Sequence, residues 1–183
     1  DRSLLQRAPT EMYEVHELLR QYAEEKLSQD PEAADLVRDR HSEYYLLAAE
    51  GWWEDAKGPR TRAALDEMEA EFQNVRAAWD WAVVRGEVAR VNQAMEGLGL
   101  FYEWRKHYSE GASACRAVIR RLTSSTPLAQ DWTKAHVDRV IAKALAWESC
   151  FLPEYASQRL EESLAILDSL AVSAYDTRAV QAF

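Results

Sequence analysis

His16 is the residue whose type and position most favour a chemical role. It lies between Val15 and Glu17 at the start of a helical pattern. A donor at a helix N-terminus suits a bound phosphate, because that end of a helix attracts anions. A zinc-protease helix would need its second histidine at the position of Arg20, so no zinc site is predicted. The alternative is that His16 only caps or packs its helix.

The residue patterns of common catalytic sites are missing. The sequence has no G-x-x-x-x-G-K-[ST] loop to hold nucleotide phosphates and no G-x-S-x-G nucleophile motif. The acidic pairs Glu24-Glu25 and Glu161-Glu162 are each adjacent in a helical pattern, so their side chains point about 100° apart and are expected to be solvated. The chain is therefore predicted not to be an enzyme and to hold no cofactor.

The two cysteines, Cys115 and Cys150, both lie in apolar helical patterns. Two cysteines are too few for the disulfide framework of a small secreted protein. They also lack the paired spacing of a metal site. The sequence therefore predicts two reduced, buried thiols and a cytoplasmic protein without a bound metal.

The composition indicates a helical protein that does not bind nucleic acid or membranes through this segment. Six glycines and five prolines in 183 residues are few, which favours long helices over turn-rich sheets. The net charge of −9 disfavours binding to phosphate backbones. No run approaches the ~18 apolar residues of a membrane span. The chain begins at Asp1 without a methionine and ends at Phe183 within a helical pattern, so it is expected to be part of a longer protein.

Apolar residues at helical spacing predict about eight helices joined by short breaks, an arrangement that favours antiparallel neighbours. The clearest stripe is Leu65, Met68, Phe72, Val75, Trp79 and Ala82. Gly86 then predicts a helix end. A long helix after Pro31 is predicted to bury Val37, His41, Tyr44, Tyr45 and Ala48. Ordered strands are predicted only near Met12 to Val15, and a last helix is predicted to begin near Ala174.

Two of these helix pairs are similar to each other at an offset of 47 residues. Leu98-Gly99 aligns with Leu145-Ala146, where the small residue lets a second helix approach. Tyr108 then aligns with Tyr155, Gly111 with Gln158, and Val118 with Ala165. The predicted repeat-packing residues are Leu98, Gly99, Tyr102, Gly111, Val118, Leu145, Ala146, Tyr155 and Ala165. This order resembles an elongated tetratricopeptide-type repeat, although Gln158 stands where a small residue is expected.

The N-terminal part resembles the end of the winged-helix domain of STAND-type (NB-ARC-like) signalling ATPases. The run Tyr13 to Leu27 carries the resemblance, with Val15-His16-Glu17 where that family has a Met-His-Asp-like triplet. The stretches Arg40 to Leu46, Glu71 to Ala82 and Gly97 to Glu103 are similar to the helices that follow. The resemblance implies that His16 contacts the phosphates of bound ADP in the full-length protein.

The resemblance also implies a domain organisation and a fold. Residues 1–28 would be the end of the winged-helix domain, 29–58 a connecting helix and 59–183 the helical repeats. The expected fold is all-α, an α-solenoid of antiparallel, tetratricopeptide-like hairpins with a short winged-helix remnant at the N-terminus.

Two functions are compatible with this sequence. One is the non-catalytic sensor region of a STAND-type transcriptional regulator, in which a protein partner or small-molecule effector binds the concave face and acts on an attached nucleotide-binding domain. ATP or ADP would then be the cofactor of the full-length parent, not of this segment. The alternative is a stand-alone tetratricopeptide-like scaffold for partner proteins or peptides. A phosphate-binding loop upstream of Asp1 would distinguish the first from the second.

Overall fold

The fold, given by a computed structural model, is all-α apart from one short β-hairpin. The structure describes residues 5–7, 13–15, 17–128, 130 and 132–181, and the side chains of 18–128, 130 and 132–171. The described elements are β1 (Leu5–Arg7), β2 (Tyr13–Val15), α1 (Glu17–Ser28), α2 (Pro31–Ala56), α3 (Thr61–Ala70), α4 (Phe72–Arg85), α5 (Val88–Trp104), α6 (Tyr108–Thr123), α7 (Lys134–Phe151), a 3-10 turn (Pro153–Tyr155) and α8 (Ala156–Gln181).

The chain divides into two compact units, Asp1–Arg40 and His41–Phe183, with the division inside α2. In the first unit β1 and β2 pair antiparallel, with Gln6 opposite Glu14. Helix α2 starts where Asp30 accepts a hydrogen bond from the backbone N–H of Ala33 at 3.0 Å. Pro31 at the first helical position has no backbone N–H, so it leaves no donor unpaired there, and this helix start is determined by local residues.

From α5 to α8 neighbouring helices run antiparallel, and α5 and α7 run parallel, whereas α4 directly continues α3 after the turn at Glu71. Arg116 of α6 contacts Glu148 of α7, and Gly111 faces Phe151, so these two helices run in opposite directions. Helices α5 and α7 run parallel, because Lys143 of α7 contacts Asn92 of α5 and Trp147, one turn later in α7, contacts Glu96, one turn later in α5. Helices α4 and α6 also pack together.

The core of the second unit extends from α2 through α7. Phe72 stacks on Phe101 with ring centroids 4.8 Å apart, and the ring of Tyr102 meets Phe72 edge-on. Trp79 is 2% exposed, as its stripe predicts. Burial of large apolar side chains at each helix contact supplies the main stabilisation, because each such side chain contributes about 1.5–3 kcal/mol.

The predicted buried stripe of α2 is wrong by one position. Val37 and Tyr44 are exposed, whereas Ser42, Leu46 and Ala49 are buried. Helix α2 carries two adjacent stripes of residues at helical spacing. The buried stripe includes Ser42, which a search for apolar residues alone does not select. The Ser42 hydroxyl donates to the carbonyl of Ala78 at 2.9 Å, which satisfies it inside the core.

Two predicted helix boundaries also differ from the structure. The stripe from Leu65 to Ala82 is shared by two helices, because a turn at Glu71 separates α3 from α4. The helix predicted to begin near Ala174 does not start there, since α8 runs without a break from Ala156 to Gln181. Apolar spacing continues through both places, so periodicity alone cannot locate either boundary.

Candidate functional site

A groove on the layer formed by α2, α5 and α7 has a volume of about 520 Å³. This volume lies within the range of ~300–1,000 Å³ that ligand sites occupy. Its lining residues come from the three parallel helices and the segment before α7: Glu50, Val88, Ala89, Asn92, Gln93, Trp132, His136, Arg139, Val140 and Lys143.

Small residues in α5 bring the groove-forming helices close together. A side-chain carbon at Gly97 would lie 2.4 Å from the carbonyl oxygen of Ala49 in α2. One at Gly99 would lie 2.3 Å from the indole of Trp147 in α7. Only glycine therefore allows α5 to approach α2 and α7 at these points. These two contacts therefore set the spacing between α5 and its neighbours α2 and α7.

Polar side chains link the helices that form the groove. The Lys143 ammonium lies 3.3 Å from the carboxylate of Glu96, which also accepts a hydrogen bond from the Trp147 indole at 3.2 Å. Gln93 donates its side-chain amide to Glu50 of α2. These bonds join α2 to α5 and α5 to α7, and they hold Glu50, Gln93 and Lys143 of the lining in place.

The α7 side of the groove begins with an aromatic pair. Thr133 caps α7 by accepting from the backbone N–H of His136, and its hydroxyl also lies 2.6 Å from the His136 ring nitrogen Nδ1. The half-buried Trp132 meets the His136 ring edge-on, with centroids 5.6 Å apart. The cap therefore places an aromatic surface beside the exposed guanidinium of Arg139, one turn further along α7.

A second polar cluster joins α6, α7 and α8 behind the groove. Glu148 is completely buried and lies 2.7 Å from Arg116 and 3.0 Å from Arg159. Arg159 also pairs with Glu162 at 2.8 Å, and hydrogen bonds from Gln158 and Arg159 lower the pKa of that carboxyl. Arg116 donates a hydrogen bond to Oε1 of Glu148, and Arg159 lies within ion-pair distance of Oε2, so Glu148 is placed to hold the three helices together.

The predicted repeat-packing residues are distributed unevenly. Buried positions are Leu98, Gly99, Tyr102, Gly111, Val118 and Leu145; Ala146 is half-buried; Tyr155 and Ala165 are exposed. The glycines meet aromatic side chains of α7, since a side-chain carbon at Gly111 would lie 2.7 Å from the ring of Phe151. His16, the predicted nucleotide-sensing residue, lies outside the described residues.

The prediction of two buried thiols is wrong for one of them. Cys115 is buried, whereas Cys150 is exposed and its thiol lies 3.5 Å from the carbonyl of Ala146. Among the described residues no group of three or more histidine, cysteine, aspartate or glutamate side chains could hold a metal ion. No described helix is both long enough and apolar enough to cross a lipid bilayer.

Sequence patterns missed most of the groove residues, although one signal pointed to them. Asn92 and Arg139 are 47 positions apart, as are Glu96 and Lys143, which is the offset of the predicted repeat. Equivalent positions of successive repeats lie on the same face of parallel helices. Polar residues that are 47 positions apart in the sequence are therefore expected to lie on the same surface of the helix layer.

Comparison with known proteins gives a distant similarity to transcriptional regulators. "Putative HTH-type transcriptional regulator Mb0914c" of Mycobacterium bovis is 31% identical over 107 residues, or 58% of this chain. The Mycobacterium tuberculosis proteins of the same description, MT0914 and Rv0890c, match equally. The matched region spans 12% of the length of each of these relatives. No protein-family profile and no solved structure match the chain.

Proposed function

We propose that this chain is the helical-repeat sensor region of a STAND-type regulator of transcription, binding a ligand or protein partner and relaying that event to a nucleotide switch. The distant similarity to much longer proteins named as transcriptional regulators supports a regulatory role within a larger molecule. The ordered resemblance from Tyr13 to Glu103 supports the STAND-type architecture.

The observation that carries the proposal is the parallel layer of α2, α5 and α7 with a groove along it. Antiparallel neighbours and parallel alternate helices are the packing of an α-solenoid of tetratricopeptide-like hairpins. Such a layer presents a continuous surface to a partner. The β1–β2 hairpin followed by α1 would be the end of a winged helix.

Relay requires that the ligand bind one conformation of the parent protein more tightly than another. The nucleotide-binding domain attached before this chain would supply ATP or ADP binding, with His16 near the phosphates of ADP. A partner seated in the groove would then stabilise the form that releases ADP and assembles. No chemical step takes place in this segment.

The test uses the full-length parent, whose sequence is expected to contain a G-x-x-x-x-G-K-[ST] loop upstream of this chain. Arg139→Glu reverses a charge in the groove and should alter the rate of ADP release, measured with a fluorescent ADP analogue. Arg62→Glu, at an exposed position outside the groove, is the matched control. An unchanged release rate in the groove variant, or the lack of the loop, would contradict the proposal.

A stand-alone scaffold is the second candidate, favoured by the fact that the groove is preformed by internal bonds of its own lining residues. A scaffold needs no nucleotide switch. The two functions differ in one measurement on the full-length protein: partner binding that is independent of ADP and ATP supports the scaffold, and binding that depends on the nucleotide supports the sensor. The isolated chain should give no heat when titrated with ATP.

A further inference from the structure

Arg139 is a groove cation without a counter-ion among the described residues. Lys143 is paired with Glu96, and Glu50 accepts from Gln93 on the opposite side. Arg139 is exposed, and none of the described carboxylates lies within ion-pair distance of it. The guanidinium therefore offers several donors to a ligand, in a chain whose net charge is −9.

The remaining lining residues suit a peptide. Asn92 is exposed between α5 and α7, and its side-chain amide makes no described hydrogen bond, so it can both donate to and accept from a peptide backbone unit. Val88 and Val140 are buried at the groove floor, and the half-buried Trp132 gives an aromatic wall. The groove thus offers apolar, amide and cationic groups to a ligand.

We propose that this groove binds a short acidic peptide segment of a protein partner, with a carboxylate on Arg139, a backbone amide on Asn92 and an apolar side chain against Trp132. The proposal rests on the proposed function in identifying the groove as the place where the regulatory partner binds. Charge complementarity selects the acidic class, because a guanidinium and a carboxylate form charge-assisted hydrogen bonds in a fixed geometry. The volume of about 520 Å³ accommodates a few residues of a peptide.

Calorimetric titration of the 183-residue chain with an acetylated, amidated peptide of four glutamates and one leucine tests this directly. The analogue with four glutamines is the matched peptide. We expect the acidic peptide to bind at least about tenfold more tightly, and added salt to weaken it. Equal affinity for the two peptides, or no heat at about 1 mM acidic peptide, would overturn the proposal.

Variants of the chain locate the binding. Arg139→Ala should weaken binding by about tenfold, Arg139→Lys should recover part of the loss, and Asn92→Ala should weaken both peptides alike. Arg120→Ala, at an exposed position of α6 outside the groove, should change nothing. Circular-dichroism melts show whether each variant is folded, and because Arg139 and Asn92 are exposed, folding should be preserved. An unaffected Arg139→Ala variant would refute the assignment.

Two further experiments distinguish a peptide from a small carboxylate as the ligand, and the acidic-peptide proposal from the proposed sensor function. Free glutarate should bind far more weakly than the peptide, because it lacks a backbone for Asn92; equal affinity would mean that the site takes small carboxylates instead. If the peptide fails to bind while Arg139→Glu still alters ADP release in the full-length protein, the acidic-peptide assignment falls and the sensor function stands. If the peptide binds but Arg139→Glu has no effect on ADP release, the acidic-peptide assignment stands and the sensor function falls.

Discussion

At the scale of single residues, Glu148 is unusual because a charged side chain is completely buried. A glutamate is seldom fully buried unless it is paired, and here two arginines from different helices supply the pairing. The cost of removing the carboxylate from water is offset only while both arginines remain in contact. The cluster therefore specifies how α6, α7 and α8 pack.

Replacing Glu148 should destabilise the chain, because Arg116 and Arg159 would lose the carboxylate that they pair with. Glu148→Ala is expected to lower the free energy of unfolding by about 2–3 kcal/mol, less than the ~3–5 kcal/mol of a fully buried broken pair, because Arg116 is half-exposed and can rehydrate. Urea unfolding followed by circular dichroism measures the change. Glu161→Ala, an exposed glutamate of α8, should stay within about 0.5 kcal/mol; a similar loss in both variants would disprove the role of the buried cluster.

Cys115 makes the stability of the chain sensitive to alkaline pH. Burial, together with the nearby Glu148, raises the pKa of its thiol from 9.0 to about 12. Between these values the unfolded chain loses the proton and the folded chain keeps it, so the free energy of unfolding should fall as the pH rises above 9. The decline measured by urea unfolding should be shallower in Cys115→Ala than in the wild type.

The exposed Cys150 provides an internal comparison for this effect. Its thiol should react with Ellman's reagent in the folded chain, whereas Cys115 should react only after unfolding. Partial burial raises the pKa of Cys150, and because the thiolate is the reactive form, the reaction should accelerate as the pH increases. Two equally fast thiols in the folded protein would show that Cys115 is accessible and would remove the basis of the pH prediction.

At the scale of helices, glycine sets how closely α5 approaches its neighbours. Gly97→Ala places a methyl group against the backbone carbonyl of Ala49, which cannot move aside as a flexible side chain can. We expect a net loss of about 1–2 kcal/mol in unfolding free energy, since the strain exceeds the ~1 kcal/mol gain in helix propensity.

Gly51 in α2 is the matched control, because no atom lies within 4 Å of the position its side chain would take. Gly51→Ala should therefore stabilise the chain by up to about 1 kcal/mol. Thermal melts of both variants give the comparison. Stabilisation by Gly97→Ala would mean that α2 and α5 do not approach each other closely at this point.

The sequence predicts most helices and the long stripe through Trp79, because apolar spacing and the glycine at position 86 act locally. Gly86 does adopt the left-handed conformation, with φ 74°, that ends α4. The buried face of α2 was predicted wrongly because its position depends on which of two stripes a neighbouring helix covers. The groove depends on contacts 43 to 51 residues apart, such as Gln93 with Glu50 and Lys143 with Asn92, which local spacing does not encode.

At the scale of the whole molecule, α8 carries an apolar stripe on its outer face. Leu160, Leu164 and Leu167 are 44%, 57% and 44% exposed, although their spacing is that of a buried face. In contrast, the side of α8 toward α7 includes Ser163, whose hydroxyl donates to the carbonyl of Ala142 at 2.8 Å. Contiguous exposed apolar surface promotes association between protein molecules.

The isolated chain is therefore expected to self-associate through this stripe as its concentration rises. Replacing Leu164 and Leu167 together by lysine should shift the population toward monomer in sedimentation velocity experiments, since each lysine removes apolar surface and adds repulsion. Val84→Lys, a change at an exposed apolar position of α4, is the control. If the control suppresses association as strongly as the double variant, the stripe is not responsible.

The parallel alternation of helices has a mechanical consequence. In the described part of the second unit, most contacts join helices that are next to each other or two apart in the chain, such as α6 with α7, α7 with α8 and α5 with α7. Stretched between its ends, such an array should extend in successive small steps and recoil quickly when the load is removed, because re-forming each step closes only a short loop.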